Sequence, residues 1–257
     1  MAAVLTATLD TASTPYRVVL TITGATGVTT ATIVCNEPAG SRPVRGADPL
    51  VISGGGGVAF EFEAPRDVPL TWTATPNTGA PFSSATVTVP SDNKVLLLHP
   101  GSPATSVYLN GSPIVDMSYD MQSAVFEPPG RQDAVYWSTG SNSAKGTLVA
   151  WTGSFAETAA LMNILKSGFP LRLLAPAAFM DSSPYLGVLS AKETRATTQA
   201  WDQTRYITAE FQVSARPISS LQLLWTYSQL NPTYATYTAL AAAYAGKTYI
   251  DVAIGPA

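Results

Sequence analysis

Side-chain alternation with a period of two runs through most of this 257-residue chain and constrains its fold more than any other feature. A strand sends successive side chains to opposite faces, so alternating apolar and polar residues mark a half-buried strand. Residues 4–9 and 16–23 alternate, the second with Tyr16, Val18, Leu20 and Ile22 on one face. Residues 28–35, 50–52, 58–62, 70–74 and 86–89 continue the series, while the Pro- and Gly-rich 36–45 reads as a loop. About seven short strands, turns every 8–12 residues or so and no helical pattern predict an immunoglobulin-like β-sandwich over residues 1–93.

The pattern resumes at 94–98 and is cut by His99-Pro100-Gly101-Ser102-Pro103, which places a domain boundary there. Residues 106–110 and 113–126 read as strands. In the second, Ile114, Asp116, Ser118 and Asp120 share one face, and Val115, Met117, Tyr119 and Met121 share the other. That second face suits packing against a partner or a second sheet, so its four residues are candidate interface residues. Residues 127–133 read as a polar turn. Strands at 135–137 and 146–151 lead to the only helix of this region, near 154–167. Ser154 and Glu157 have capping-box spacing, Ala160, Leu161, Ile164 and Leu165 form the apolar stripe, and Gly168 and Pro170 end it. Residues 171–174 are apolar on both faces except Arg172, which predicts a fully buried strand. Residues 175–184 read as a loop and 185–190 as a further strand. In 206–214, Ile207, Ala209, Phe211 and Val213 face inward.

Charged residues make up 12% of the chain and the net charge is −3. Typical globular domains carry about 25% charge. Nucleic-acid binding needs clustered Lys and Arg, which this chain lacks. So neutral a surface fits either extensive coverage by partners or a secreted or particle-borne β protein. No run approaches the ~18 apolar residues of a membrane helix, and residues 1–14 lack a signal-peptide pattern. The expectation is a soluble product made in a cytoplasm, without membrane insertion.

Groups able to carry chemistry are few. Cys35, the single cysteine, sits in an alternating run and reads as a small core residue, so neither a disulfide nor a cysteine zinc site can form. His99 is the only histidine, and any Ser-His-Asp triad would have to use it. Asp116 and Asp120 are the one tempting carboxylate pair, with neither a third ligand nor an aromatic cleft evident nearby. Trp72 reads as core or, alternatively, as a sugar-stacking ring. The glycine run 54–57 lacks the Gly-Lys-Ser/Thr ending of a phosphate loop, and Gly246-Lys247-Thr248 lacks that motif's earlier glycine. No catalytic residue, metal ligand or cofactor site is expected.

Gly130-Arg131, a Val-Tyr-Trp strand at 135–137, Gly-Thr-Leu-Val-Ala-Trp at 146–151 and the Glu157 helix through Leu165-Lys166-Ser167-Gly168 come in order. Leu-Arg-Leu-Leu-Ala-Pro at 171–176, Tyr185-Leu186-Gly187, Trp201 and the run 211–217 follow. This ordered set resembles the distal tail, or minor tail, proteins of long-tailed bacteriophages, most nearly those of actinobacteriophages, over residues 94–217. The resemblance implies a tail-tube-like β-sandwich with one flanking helix. It implies a virion structural protein, not an enzyme, assembling as a homohexameric ring at the tail tip after synthesis in the host cytoplasm. The implied partners are the tail tube protein, the tail tip hub, and the tape-measure protein and DNA passing through the lumen without specific binding. In the best-known distal tail proteins a carbohydrate-binding-like domain follows the ring module; here the extra sandwich precedes it.

Residues 218–257 read as a strand-helix-strand extension, a short helical tail in which Tyr234, Tyr237 and Tyr244 share one face. Such a stripe is either an intrachain packing face or a protein interface. Two rival functions stand beside the structural one: a host-glycan-binding accessory tail protein using Trp72, and a cell-wall glycosidase using Asp116 and Asp120.

Overall fold

The computed structural model describes residues 2–38, 40–126, 135–180 and 182–217. Residues up to Ala215 form one compact unit, and a second begins at Arg216. The expected turn at 127–133, the extension 218–257 and with it Tyr234, Tyr237 and Tyr244 lie outside the described residues.

Over the described residues the protein is mainly β, with several antiparallel sheets and one short α-helix. The first nine strands are β1 (Val4–Asp10), β2 (Arg17–Thr23), β3 (Thr30–Glu37), β4 (Gly40–Pro43), β5 (Leu50–Val51), β6 (Gly57–Glu61), β7 (Pro69–Pro76), β8 (Phe82–Ser83) and β9 (Val87–Thr88). They form a sheet in the order β1-β2-β6 and a second in the order β4-β3-β7-β8, with β5 on β3 and β9 on β7. The alternation explains the arrangement. Val18, Leu20 and Ile22 of one sheet and Ile33, Cys35, Trp72 and Ala74 of the other enclose one core. The expected loop at 36–45 instead holds a tight hairpin, in which Glu37 pairs with Gly40 and Cys35 with Arg42. Its alternation was hidden because the inward side of this hairpin carries charge.

From residue 95 onward the strands are β10 (Val95–Leu98), β11 (Val107–Ser118), β12 (Met121–Phe126), β13 (Val135–Ser141), β14 (Lys145–Thr152), β15 (Leu171–Leu174), β16 (Tyr185–Arg195) and β17 (Arg205–Ser214). Six of them close into an antiparallel barrel in the order β10-β11-β14-β17-β16-β15. The sequence predicts a sandwich here, and the barrel is a correction. Its cause is β10, whose four residues pair on one side with β11 and on the other with β15, so no edge is left open. The strand expected over 113–126 also breaks. Tyr119 and Asp120 interrupt it between β11 and β12, and β12 pairs with β13.

Gly146 shows how tightly the wall is drawn. A Cβ there would lie 2.0 Å from the Asp116 carbonyl oxygen and 2.8 Å from the Phe211 ring. Only glycine lets β11, β14 and the Phe211 side chain approach this closely. Inside the barrel, Val95, Leu97, Leu109, Leu148, Leu171, Leu173, Ile207, Ala209 and Phe211 fill the space together with Leu161, Ile164 and Leu165 of helix α1 (Phe155–Leu165).

Helix α1 opens as its sequence predicts. The Ser154 hydroxyl accepts the Glu157 backbone N–H at 3.2 Å. The Glu157 carboxylate reaches one residue farther back than a capping box does and accepts the Gly153 N–H at 2.8 Å. The buried face is Thr158, Leu161, Ile164 and Leu165; Ala160, expected in the stripe, is exposed. Thr158 takes the inward place because its hydroxyl is satisfied by Thr152, 2.6 Å away, and by the Ser154 carbonyl. Gly168 has φ +76°, the left-handed conformation that ends a helix without a Cβ penalty.

Candidate functional site: the barrel wall and the junction

The outward face of β11, β14 and β17 is unusually apolar. Ile114 is 59% exposed, Trp151 49% and Tyr206 38%. The Trp151 and Tyr206 rings stack with centroids 6.1 Å apart. With Pro113, Val149 and Ala150 they line a shallow groove of about 240 Å³. The groove is firmly built. Trp151 donates its indole N–H to the Asn110 carbonyl at 3.0 Å, across a kink where Gly111 takes φ +64°. A Cβ on Gly111 would sit 3.0 Å from the indole nitrogen. The exposed Phe155 ring at the start of α1 lies under the Arg205 guanidinium, 4.9 Å from its centre.

The β11–β14 ladder runs on beyond the barrel as the β12–β13 pair, which joins no other strand. Near its base Tyr119 and Met121 are 60% and 62% exposed, and Phe126 near its far end is exposed as well. The four predicted interface residues of this region therefore divide. Val115 and Met117 pack against the barrel's own core, because β11 turns that face inward. Tyr119 and Met121 lie outside, where the strand has left the barrel. Ile114, assigned to the polar face, is the residue that opens onto the groove.

The remaining candidates sit elsewhere. Asp116 and Asp120 do not share a strand, since β11 ends at Ser118 and Asp120 lies in the break before β12; the Asp120 carboxylate meets Lys145 at 3.2 Å at an exposed position. Trp72 is wholly buried. Cys35 is buried, and that burial pushes its thiol up to about 12. The His99 Nδ1 accepts the Gly101 and Ser102 backbone N–H groups at 3.2 and 3.0 Å, and its ring packs on Phe169. Burial lowers the His99 pKa, which holds the ring in the neutral form that can accept both bonds. Among the described residues no group of three or more His, Cys, Asp or Glu is placed to hold a metal ion. None of the described helices is long and apolar enough to cross a membrane.

A second site, absent from the sequence reading, lies at the junction of the first β-module with the barrel. Alternation along β10 and β15 sends Leu96, Leu98 and Leu174 out of the barrel to a small cluster with Phe62 and Tyr108. Beside it is a nearly dry ionic network. Arg42 pairs with Glu37 and, at 3.1 Å, with Glu61; Arg45 pairs with Glu63. Arg172 of β15 reaches Glu37 at 3.3 Å, and the Tyr185 hydroxyl donates to Glu63 at 2.7 Å. Burial opposes the charge on Arg42, but Glu61 and Glu37 more than offset it, so its pKa moves upward. Burial raises the Tyr185 pKa. The network was invisible in sequence because its members are far apart: Arg172 and Glu37 are joined only by folding.

No protein-family model matches this chain, and no curated protein matches it.

Proposed function

We propose that the chain is a structural component of a bacteriophage tail tip, forming a ring, a homohexamer, that joins the tail tube to the tip or baseplate. The observation that carries this reading is the apolar patch of Tyr206, Trp151 and Ile114 on the barrel wall, with Tyr119 and Met121 exposed beyond the barrel. Exposed contiguous apolar surface rimmed by polar residues marks protein association. A copy of the same chain is the occupant a ring supplies, through a head-to-tail contact that closes on itself. The ordered motifs that resemble distal tail proteins fall on β13, the barrel strands β14 to β17 and helix α1, and two of those strands, β14 and β17, carry Trp151 and Tyr206.

In this reading residues 94–217 make the ring, and the immunoglobulin-like module of residues 1–93 decorates it. The tail tube protein and the tip hub bind the two ring faces. Tape-measure protein and DNA pass through a weakly charged lumen. The protein resides in the virion, is assembled in the host cytoplasm and does no catalysis. The glycan-binding alternative loses the residue that suggested it, because Trp72 is an interior side chain.

Native mass spectrometry over rising concentration tests the assignment. The expected result is a closed oligomer for the wild type, and a monomer with unchanged circular dichroism for Ile114→Asp combined with Trp151→Asp. A wild type that stays monomeric at every concentration and is absent from purified particles would overturn it.

A further inference from the structure

The ionic network at the junction leaves one arginine out. Arg66 follows Pro65 just past β6 and is 4% exposed. Both its Nη atoms are shielded from solvent and have no hydrogen-bond partner. The nearby carboxylates are taken. Glu37 is held by Arg42 and Arg172, Glu61 by Arg42, and Glu63 by Arg45 and Tyr185. The Asp67 carboxylate accepts the Ser91 backbone N–H at 2.9 Å. Burial without a paired anion pushes the Arg66 pKa down. A guanidinium carries five N–H donors in a rigid fork and stays charged, so an unmatched one in the interior is costly.

Arg66 is also part of the wall of a cleft of about 370 Å³ between the two modules. Arg172 also lines it; its two Nη atoms are engaged by Tyr185 and Glu37, while its Nε is buried and without an acceptor. Ser182 and Ser183 of the loop before β16 and Glu37, whose carboxylate is engaged by Arg42 and Arg172, complete the polar lining, and Pro38, Val68 and Met180 supply apolar walls. Two guanidinium groups with spare donors and two serines are the chemistry that holds a small oxyanion, since planar N–H forks match phosphate and carboxylate oxygens in pairs.

We propose that this cleft binds a small oxyanion, of phosphate or carboxylate type, between Arg66 and Arg172. The bound anion ties the first module to the barrel, because its two principal ligands come from different modules. The site belongs to the single chain and does not depend on ring assembly, so it can be read on dilute monomer.

The test is thermal unfolding of the full chain with inorganic phosphate or succinate, at ionic strength matched with sodium chloride. The expected result is a saturable rise in Tm for one of the two, roughly 5–10 °C at about a hundredfold excess over Kd. The more effective anion names the type. In Arg66→Met, which keeps an unbranched apolar stem but loses the charged group and its donors, that rise should vanish. No rise above the chloride control, or an equal rise in Arg66→Met, overturns the proposal. Should Arg66→Met fail to fold, calorimetric titration of the wild type decides. One saturable site per chain for phosphate or succinate supports the site, and heats no different from dilution overturn it.

Discussion

Gly146 is the residue on which the barrel wall depends most directly. Its missing side chain is what lets the Asp116 carbonyl and the Phe211 ring occupy the same small space. Backbone cannot swing aside as a side-chain tip can, so Gly146→Ala must push β11 and β14 apart. Overpacking of this kind costs about 1–3 kcal/mol, occasionally more. Urea unfolding should show a midpoint lowered by that amount with little change in slope, and an unchanged midpoint would mean the wall yields freely. Gly146 was legible only as the first letter of a strand; its role needs the partner strand. Trp72 and Cys35 were legible as core, since their burial follows from the alternation they sit in. Arg66, by contrast, carries no local sign of burial, because charge at the end of a strand ordinarily points to water.

Among the elements, helix α1 was the most legible, since its signals are local. Ser154, Glu157, Leu161, Ile164, Leu165 and Gly168 lie within one short segment and act on one another through it. Ser154→Ala removes the acceptor of the Glu157 N–H while leaving the barrel interior intact. It should cost about 1 kcal/mol, and loss of an N-cap seldom exceeds 2. Denaturant unfolding of Ser154→Ala beside Ser154→Asp separates cap from side chain, since aspartate should restore most of the stability. Equal losses in both would show that the hydroxyl acts some other way. The β-elements were legible as strands but not in their partnership. Period two says which residues share a face, not which strand lies alongside, so β10, β11, β14, β15, β16 and β17 could be found without the closure that joins them. Alternation did separate the faces of β11: Val115 and Met117 go into the barrel and Ile114 goes out with Asp116 and Ser118, but it does not tell where the strand leaves the barrel and exposes Tyr119 and Met121.

For the molecule as a whole, the junction between the modules is the feature with the widest reach. Leu96, Leu98 and Leu174, the Arg42–Glu37–Arg172 chain and the Tyr185–Glu63 bond all cross or border it. Two bodies sharing a dry interface should unfold as one. Scanning calorimetry of the full chain should show a single main transition for residues up to 215. Leu98→Asp, which puts a carboxylate into the apolar cluster, should split it into two. Two separate transitions already in the wild type would show the junction to be weak. No spacing in the sequence announces this coupling, because the residues that make it are scattered from Glu37 to Tyr185.

The barrel is sealed by β10 and β15, and these same two strands carry the leucines that rest on the first module. One side of each strand completes a cylinder and the other side docks a neighbour. During synthesis the first module and β10 leave the ribosome well before β15. Leu96 and Leu98 can therefore be sheltered by the finished first module while the cylinder is still open. That module then holds β10 ready for β15, so non-local strand pairing, intrinsically slow because its loop must close first, starts from an anchored strand, and β17, the last strand to emerge, closes the cylinder against β14.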